Sequence, residues 1–249
     1  MSDGHDHFTG LADFYAQARP DYAVAAIDYL SRLVPDTVTA RVADVGAGTG
    51  KLTAMLAPRF ASVWAIEPND DMRRRAREEL EAYGNVQVVE GTAEATTLPN
   101  HSVDLVVCAQ AFHWFDPAGF RHESARIAGA QAPVAIVYNT GMGVDKHEEL
   151  SWWEPSHASP TWVRRVEAIR EFFGGYVACA EFPHPLHYDA ENYLAFMLSH
   201  STTPRPDNLA YLRYIESVKA IFARESVDGI LTLDYSTCVY TSSRYRRGT

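Results

Sequence analysis

The residues best suited to chemistry cluster in Val42-Ala43-Asp44-Val45-Gly46-Ala47-Gly48-Thr49-Gly50. A β-rich run ends there and a helical stretch follows. Glycines permit a tight turn and let a ligand approach the backbone, while a helix start offers N–H groups without partners. A nucleotide-like ligand lying across the strand ends suits such a loop. A plain strand-to-helix turn has a similar composition, so further residues must decide. The spacing does separate ligand classes. A dinucleotide fingerprint, G-x-G-x-x-G, needs its third glycine where Lys51 stands, and no G-x-x-x-x-G-K-[ST] loop for a nucleoside triphosphate is present.

Glu67 closes the run Val63-Trp64-Ala65-Ile66, 19 residues after Gly48. A carboxylate at the end of a second strand can accept both ribose hydroxyls of an adenosine. Glu90-Gly91-Thr92-Ala93-Glu94 and the run from Cys108 to Asp116 end two further strands, so four strand ends offer polar or aromatic groups to one crevice. His113 in the last run is the candidate general base, because imidazole exchanges protons near neutral pH. A packing role within the aromatic cluster of Trp114 and Phe115 is the other reading. His147, His157, His187 and His200 have no partner spacing, and His5 and His7 lie in a polar N-terminal tail, so no metal site is expected.

These groups need a scaffold that gathers strand ends. Strand candidates are Arg41–Val45, Ser62–Ile66, Val86–Glu90, Val103–Cys108 and Pro133–Tyr138. Most are short continuous apolar runs, as expected for strands covered on both faces. Between them Lys51–Phe60, Asp71–Tyr83 and Pro117–Gly129 read as helices, the second preceded by the capping residues Asn69 and Asp70. Strand–helix alternation with short links predicts a doubly wound α/β fold with a mostly parallel sheet. Before this core, Leu11–Ser31 reads as two helical pieces broken near Arg19-Pro20. After it come an aromatic-rich stretch over 142–182, a strand near Phe182–Tyr188, helices at Glu191–Ser199 and Asn208–Arg224, and a strand at Ile230–Thr241.

The formal net charge of −10 repels phosphate backbones, which argues against a nucleic-acid partner. The densest basic run, Arg73-Arg74-Arg75-Ala76-Arg77, is followed by Glu78, Glu79 and Glu81, and reads as a solvated, ion-paired helix face. No apolar run reaches the roughly 18 residues of a membrane span. The N-terminus has neither the basic start nor the apolar core of a secretion signal. Cys108, Cys179 and Cys238 are odd in number and widely spaced, so reduced thiols and a cytoplasmic location are expected.

Taken in order, these pieces resemble the class I S-adenosylmethionine-dependent methyltransferases, and within them the small-molecule group related to ubiquinone/menaquinone and trans-aconitate methyltransferases. The matching residues are Asp44-Val45-Gly46-Ala47-Gly48-Thr49-Gly50, Glu67-Pro68-Asn69-Asp70-Asp71-Met72, Gly91-Thr92-Ala93-Glu94 and Ala111-Phe112-His113-Trp114-Phe115, with Phe14 to Tyr22 before them. The likeness is clear over residues 11–140 and faint beyond about 180. It implies S-adenosylmethionine as cofactor, with Gly46, Ala47, Gly48 and Gly50 under its methionine part and Asp44 near its amino group. Glu67 would hold the ribose, with Pro68 beside it also contacting the cofactor, Met72 would pack on the adenine, and Thr92, Ala93 and Glu94 would edge that ring. Many relatives carry aspartate at the Thr92 position, so a main-chain contact at Ala93 would replace its carboxylate.

Gln110 would sit near the methyl group, and Tyr15 and Arg19 would be lid contacts. The resemblance also implies a seven-stranded sheet whose last strand is antiparallel, a small-molecule acceptor and no membrane partner. One domain is expected: a helical lid over 1–40, a cofactor core over 41–140, a cap over 141–181, and completion of the sheet and a tail over 182–249. The aromatic residues from Trp152 to Tyr176 either line an acceptor pocket or pack the cap. Two other readings of the chain stay open: a cofactor-binding enzyme with non-methylating chemistry, and a non-catalytic partner subunit. A nicotinamide dehydrogenase fits the glycine spacing less well.

Overall fold

The computed structural model describes residues 20–141, 150, 162–200 and 203–242. Helix α1 (Val24–Ser31) leads into β1 (Arg41–Val45), α2 (Lys51–Leu56), β2 (Ser62–Ile66), α3 (Asp70–Glu79) and β3 (Val86–Val89). Then come β4 (Leu105–Ala109), a single 3₁₀ turn (Phe112–Trp114), α4 (Pro117–Ala128) and β5 (Val134–Gly141). The seven-stranded sheet has the order β3-β2-β1-β4-β5-β9-β6, where β6 is Val177–Pro183 and β9 is Tyr235–Ser242. Strands β1 to β5 run parallel, and β9 is antiparallel to both its neighbours. This is the expected doubly wound fold.

The chain leaves β1 toward β2 and returns as β4 on the other side of β1. The loops after β1 and β4 therefore diverge, and a crevice opens at the carboxyl ends of these strands. β4 is buried at every position because helices cover both faces. One face packs under α1 and α2, with Ile27, Leu30, Leu52 and Leu56 in a shared core. The other packs under α4 and α5 (Trp162–Phe172), with Phe120, Ile127, Ile169 and Phe172. Each such fully buried side chain contributes about 1.5–3 kcal/mol.

Several element ends depart from the sequence-based expectation, each for a local reason. α2 stops at Leu56 rather than Phe60, because Pro58 has no N–H to continue the ladder. β5 continues to Gly141 because β9 pairs with it along that whole length. The expected strand Phe182–Tyr188 is two strands. β6 runs from Val177 in the main sheet and its ladder ends at Pro183; Pro185 follows, and β7 (Leu186–Tyr188) joins a separate two-stranded sheet. The expected strand Ile230–Thr241 likewise divides at Asp234 into β8 (Leu231–Leu233) and β9.

The boundaries 141–181 and 182–249 shift accordingly: residues 177–181 belong to the main sheet. Residues 186–233 build a satellite in which the β7–β8 sheet, α6 (Ala190–Leu198) and α7 (Tyr211–Glu225) enclose their own core of Tyr193, Phe196, Val218 and Ile221. Among the described residues no helix is long and apolar enough to cross a membrane.

Candidate active site

The glycine loop forms one wall of the crevice. Gly46 and Ala47 both donate to the Ile66 carbonyl, at 2.9 and 3.0 Å, which binds the loop to the end of β2. Gly46 has φ +73°, and a Cβ there would stand 2.7 Å from Ala111 Cβ, so the loops after β1 and β4 touch at this point. Gly48, at φ +58°, is different. A Cβ added to it would meet no atom within 4 Å, so its bare backbone faces open space. Gly50 precedes α2 and rests against Leu80.

Two carboxyl groups flank that loop. Glu67 is 7% exposed, and its oxygens accept from the Gly48 N–H at 2.9 Å and the Asn69 N–H at 3.0 Å. It thereby clamps the loop after β1 to the turn after β2. Asp44 is 1% exposed and accepts from the Thr53 hydroxyl at 2.6 Å. Its other oxygen, Oδ1, is buried without a hydrogen-bond partner among the described residues. Burial pushes the Asp44 carboxyl up to about 7; the Thr53 hydrogen bond opposes the rise and the Glu67 charge adds to it. An unpaired buried acceptor costs about 1–3 kcal/mol, an expense that a cationic ligand group would relieve.

Arg73 was expected on a solvated face and is instead buried, 5% exposed. Its Nη1 donates to the carbonyls of Glu67 at 2.9 Å and Pro68 at 2.8 Å, while Nη2 pairs with Asp70 and reaches Glu90 at 3.4 Å. The guanidinium thus holds the turn that presents Glu67. Arg75 pairs with Glu79, as four-residue spacing predicts, and also with Glu78, while Arg74 turns back to Asp71 rather than to Glu78. A sequence signal for Arg73 existed: it lies three residues before Ala76 and seven before Leu80, both buried on the same stripe of α3. Met72 is also buried, its N–H capped by Asn69 at 3.0 Å.

The loop after β3 is fixed from the side of α4. Thr92 and Ala95 exchange main-chain hydrogen bonds around Ala93, which is buried. The Glu94 carboxylate accepts from the Asp116 N–H at 2.9 Å, so it points to the start of α4. Glu123 on α4 accepts from the Thr96 N–H and hydroxyl at 2.7 and 2.6 Å and pairs with Arg126 at 2.7 Å. Burial alone would raise its pKa, but Arg126 and Thr96 outweigh burial and hold the carboxyl down at about 2. A groove of about 580 Å³ runs along Pro68, Val89 to Thr92, Ala95 and Thr97.

After β4 the chain turns at Gln110, a non-glycine residue with φ +56°. Its N–H donates to the Val137 carbonyl at 2.9 Å and its side-chain amide to the Asn139 carbonyl at 3.4 Å. His113 follows on the 3₁₀ turn, half-buried, with Nδ1 3.1 Å from the Tyr138 hydroxyl and its ring against Trp114. Tyr138 is buried, and burial raises its pKa, so the phenol stays protonated at neutral pH.

Sequence reasoning missed Asn139 and Thr237. The Asn139 side chain donates to the Asp21 carbonyl at 2.8 Å and accepts from the Thr237 hydroxyl at 2.7 Å, and that hydroxyl accepts from the Ala23 N–H at 2.9 Å. With the Lys51–Asp21 pair at 3.4 Å, these bonds lay the segment before α1 across the crevice end of the sheet. No sequence signal marks them, since the partners stand far apart in the chain. Tyr15, Arg19, Trp152 and Trp153 lie outside the described residues. Phe172 stacks on Phe120 at 5.3 Å and is buried with it, so this member of the aromatic stretch packs in the core. Among the described residues no cluster of three metal-ligating side chains occurs.

Comparison with known proteins adds the following. Residues 43–132 match the family described as "Methyltransferase domain". An uncharacterized methyltransferase of Mycobacterium tuberculosis is 39% identical over 145 residues, 58% of this chain and 55% of that protein. An uncharacterized methyltransferase of Schizosaccharomyces pombe is 29% identical over 195 residues, 76% of this chain and 74% of its own. The chain thus spans about half the length of the first of these relatives. A solved structure described as a candidate type II methyltransferase from Anaeromyxobacter dehalogenans shares the fold, with TM-score 0.65 and 21% identity over 90% of this chain and 97% of that one. Another, a candidate methyltransferase from an antibiotic biosynthesis pathway of Anabaena variabilis, gives TM-score 0.61 and 20% identity over 91% and 99%.

Proposed function

We propose that this chain is a class I methyltransferase, which binds S-adenosylmethionine and transfers the methyl group to a small organic acceptor; the methyltransferase-domain match over residues 43–132 and the shared fold support this reading. The observation that carries this reading is the bare backbone of Gly48 facing open space while its N–H is held by Glu67.

Two features fit the cofactor. Gly48 leaves room where a side chain would stand, so the main chain from Gly46 to Gly50 can pass beneath the methionine part. The partnerless Oδ1 of Asp44 is an acceptor suited to the ammonium. Glu67 binds the ribose hydroxyls in this reading. A carboxylate accepts from up to about four donors, and two main-chain bonds do not exhaust it. Pro68 and Met72 form the floor for adenine, and Thr92 and the Ala93 main chain its edge. The carboxylate of Glu94, turned to the Asp116 N–H, acts by shaping that loop. Gln110 stands at the methyl end, and Tyr15 and Arg19, outside the described residues, are assigned to the cofactor by the resemblance alone.

A sulfonium, when bound, supplies an electrophilic methyl on a good leaving group. The protein's part is to align the acceptor and exclude water, which in favourable cases contributes roughly 7–11 kcal/mol. The contact of Gly46 with Ala111 fixes the distance between the cofactor wall and the acceptor wall. With its Nδ1 on Tyr138, His113 exchanges protons with an acceptor through Nε2.

Titration calorimetry with S-adenosylmethionine and its demethylated form tests the assignment. Glu67→Ala should weaken affinity at least about tenfold, near 1.4 kcal/mol. Unchanged affinity would remove the ribose role, and no binding to folded wild-type protein would remove the function.

A further inference from the structure

Asp21, Asn139 and Thr237 belong to three separate segments, and one run of hydrogen bonds joins them. The Ala23 N–H donates to the Thr237 hydroxyl at 2.9 Å, and that hydroxyl donates to the Asn139 side-chain carbonyl at 2.7 Å. The Asn139 side-chain amide then donates to the Asp21 main-chain carbonyl at 2.8 Å. Direction is fixed at both ends, because a main-chain N–H only gives and a carbonyl only accepts. The single hydroxyl proton therefore goes to Asn139 and aims its amide group at Asp21. A flipped amide would set oxygen against oxygen there, so the position calls for an asparagine. Thr237 is fully buried and stands opposite Asn139 in the β5–β9 register.

The same residues close a circuit around the crevice. The main-chain carbonyl of Asn139 accepts from the Gln110 side chain at 3.4 Å, and Ala111, the next residue, packs on Gly46. Gln110 is held in the left-handed region, at φ +56°, a conformation that costs energy and persists because its surroundings hold it. From Asp21 the circuit returns to the glycine loop. Its carboxylate pairs with Lys51 at 3.4 Å, and Lys51 follows Gly50 at the start of α2. The segment 20–23 thus joins the strand end beside Gln110 to the cofactor loop. Its two attachments differ in strength. The Asp21 side chain is 64% exposed, and an exposed ion pair is a weak tie. The attachment at Thr237 is buried, together with Tyr22 and Ala23.

We propose that Asn139 is a positioning residue of the cofactor crevice: its grip on the Asp21 carbonyl holds the segment 20–23 across the gap between the glycine loop and Gln110, and this strap retards escape of the bound cofactor. The inference rests on the reading of the crevice as an S-adenosylmethionine site. Asn139 acts through the segment and needs no contact with the cofactor itself. The buried attachment at Thr237 is the hinge of the strap, and the Lys51–Asp21 pair is the end that releases.

Two measurements on the full chain test it: amide hydrogen exchange over residues 21–23, and the release rate of the demethylated form of S-adenosylmethionine in stopped-flow competition. Asn139→Leu, similar in volume but without polar atoms, should lose protection at 21–23 and release the compound about tenfold faster. Thr237→Val should behave like it, and Thr237→Ser, which keeps the hydroxyl, should restore both readouts. Asp21→Ala leaves the hinge intact, so protection at Ala23 should stay while release speeds about two- to fivefold. A folded Asn139→Leu chain with wild-type protection, or with wild-type release, overturns the proposal and leaves the functional reading standing. If Asn139→Leu does not fold, wild-type release from Asp21→Ala, altered at an exposed side chain, overturns it instead. A folded wild-type chain that does not bind the compound removes the functional reading, and the proposal with it.

Discussion

The parallel half of the sheet and the satellite over residues 186–233 are built differently. At the carboxyl ends of β1 to β4, polar groups are buried and tied to main-chain atoms: Glu67 to Gly48 and Asn69, Arg73 to the Glu67 and Pro68 carbonyls, and Glu123 to Thr96. One of them, Asp44 Oδ1, is left without a partner among the described residues. The satellite buries aromatic and aliphatic side chains instead, with Tyr188 stacked on Phe196 at 5.0 Å and Tyr193 beside Phe222. The crevice spends stability on prepositioned polar atoms, while the satellite accumulates stability through apolar burial. Substitutions in the first should therefore change binding and chemistry, and substitutions in the second should change folding alone.

Replacing His113 with Ala gives the largest expected effect. At saturating cofactor, transfer to an acceptor that must lose a proton should slow by about 10²–10⁴-fold with cofactor affinity unchanged. A normal rate in single-turnover assays would leave His113 a packing role. Ile221→Ala is the counterpart in the satellite, at a fully buried position. It should cost about 2–5 kcal/mol in denaturant unfolding and leave cofactor affinity as it was. A large loss of affinity would show that the satellite shapes the crevice, and the contrast would fail.

Acid should act on the crevice side. Glu123 is held at about 2, below its ordinary 4.5, so its contribution is fully present above about 4.5 and is lost as pH falls toward 2. On the order of 2–3 kcal/mol of stability should disappear over that window. Glu123→Gln should flatten the pH dependence of unfolding there, and an unaltered profile would mean that other groups dominate. Tyr193→Phe is the smallest effect. Its buried hydroxyl has no hydrogen-bond partner among the described residues, so the variant should be neutral or more stable by up to about 1 kcal/mol. A clear loss of thermal stability would expose a partner for that oxygen.

Much of the crevice was legible in the chain because its information is local. The loop from Asp44 to Gly50, the cap Asn69 and the proline at the start of α4 act over a few residues, and turn and capping preferences operate at that range. Short apolar runs separated by helical stretches were enough to fix a parallel sheet, since strands covered on both faces have few other ways to bury them.

Tertiary structure decided what depends on who stands beside whom. Arg73 and Arg74 are adjacent residues of one basic run, but the helix rotates about 100° per residue, which sends one under the Glu67 turn and the other to solvent. Asn139 meets Thr237 only because β5 and β9 pair in a particular register, and meets Asp21 only because the segment before α1 crosses the sheet there. The passage of the chain from the large sheet to the small one at Pro183–Pro185, and back at Asp234, has the same origin. Strand pairing is a long-range choice made by burial and hydrogen bonding together, and a strand's own residues do not name its neighbour.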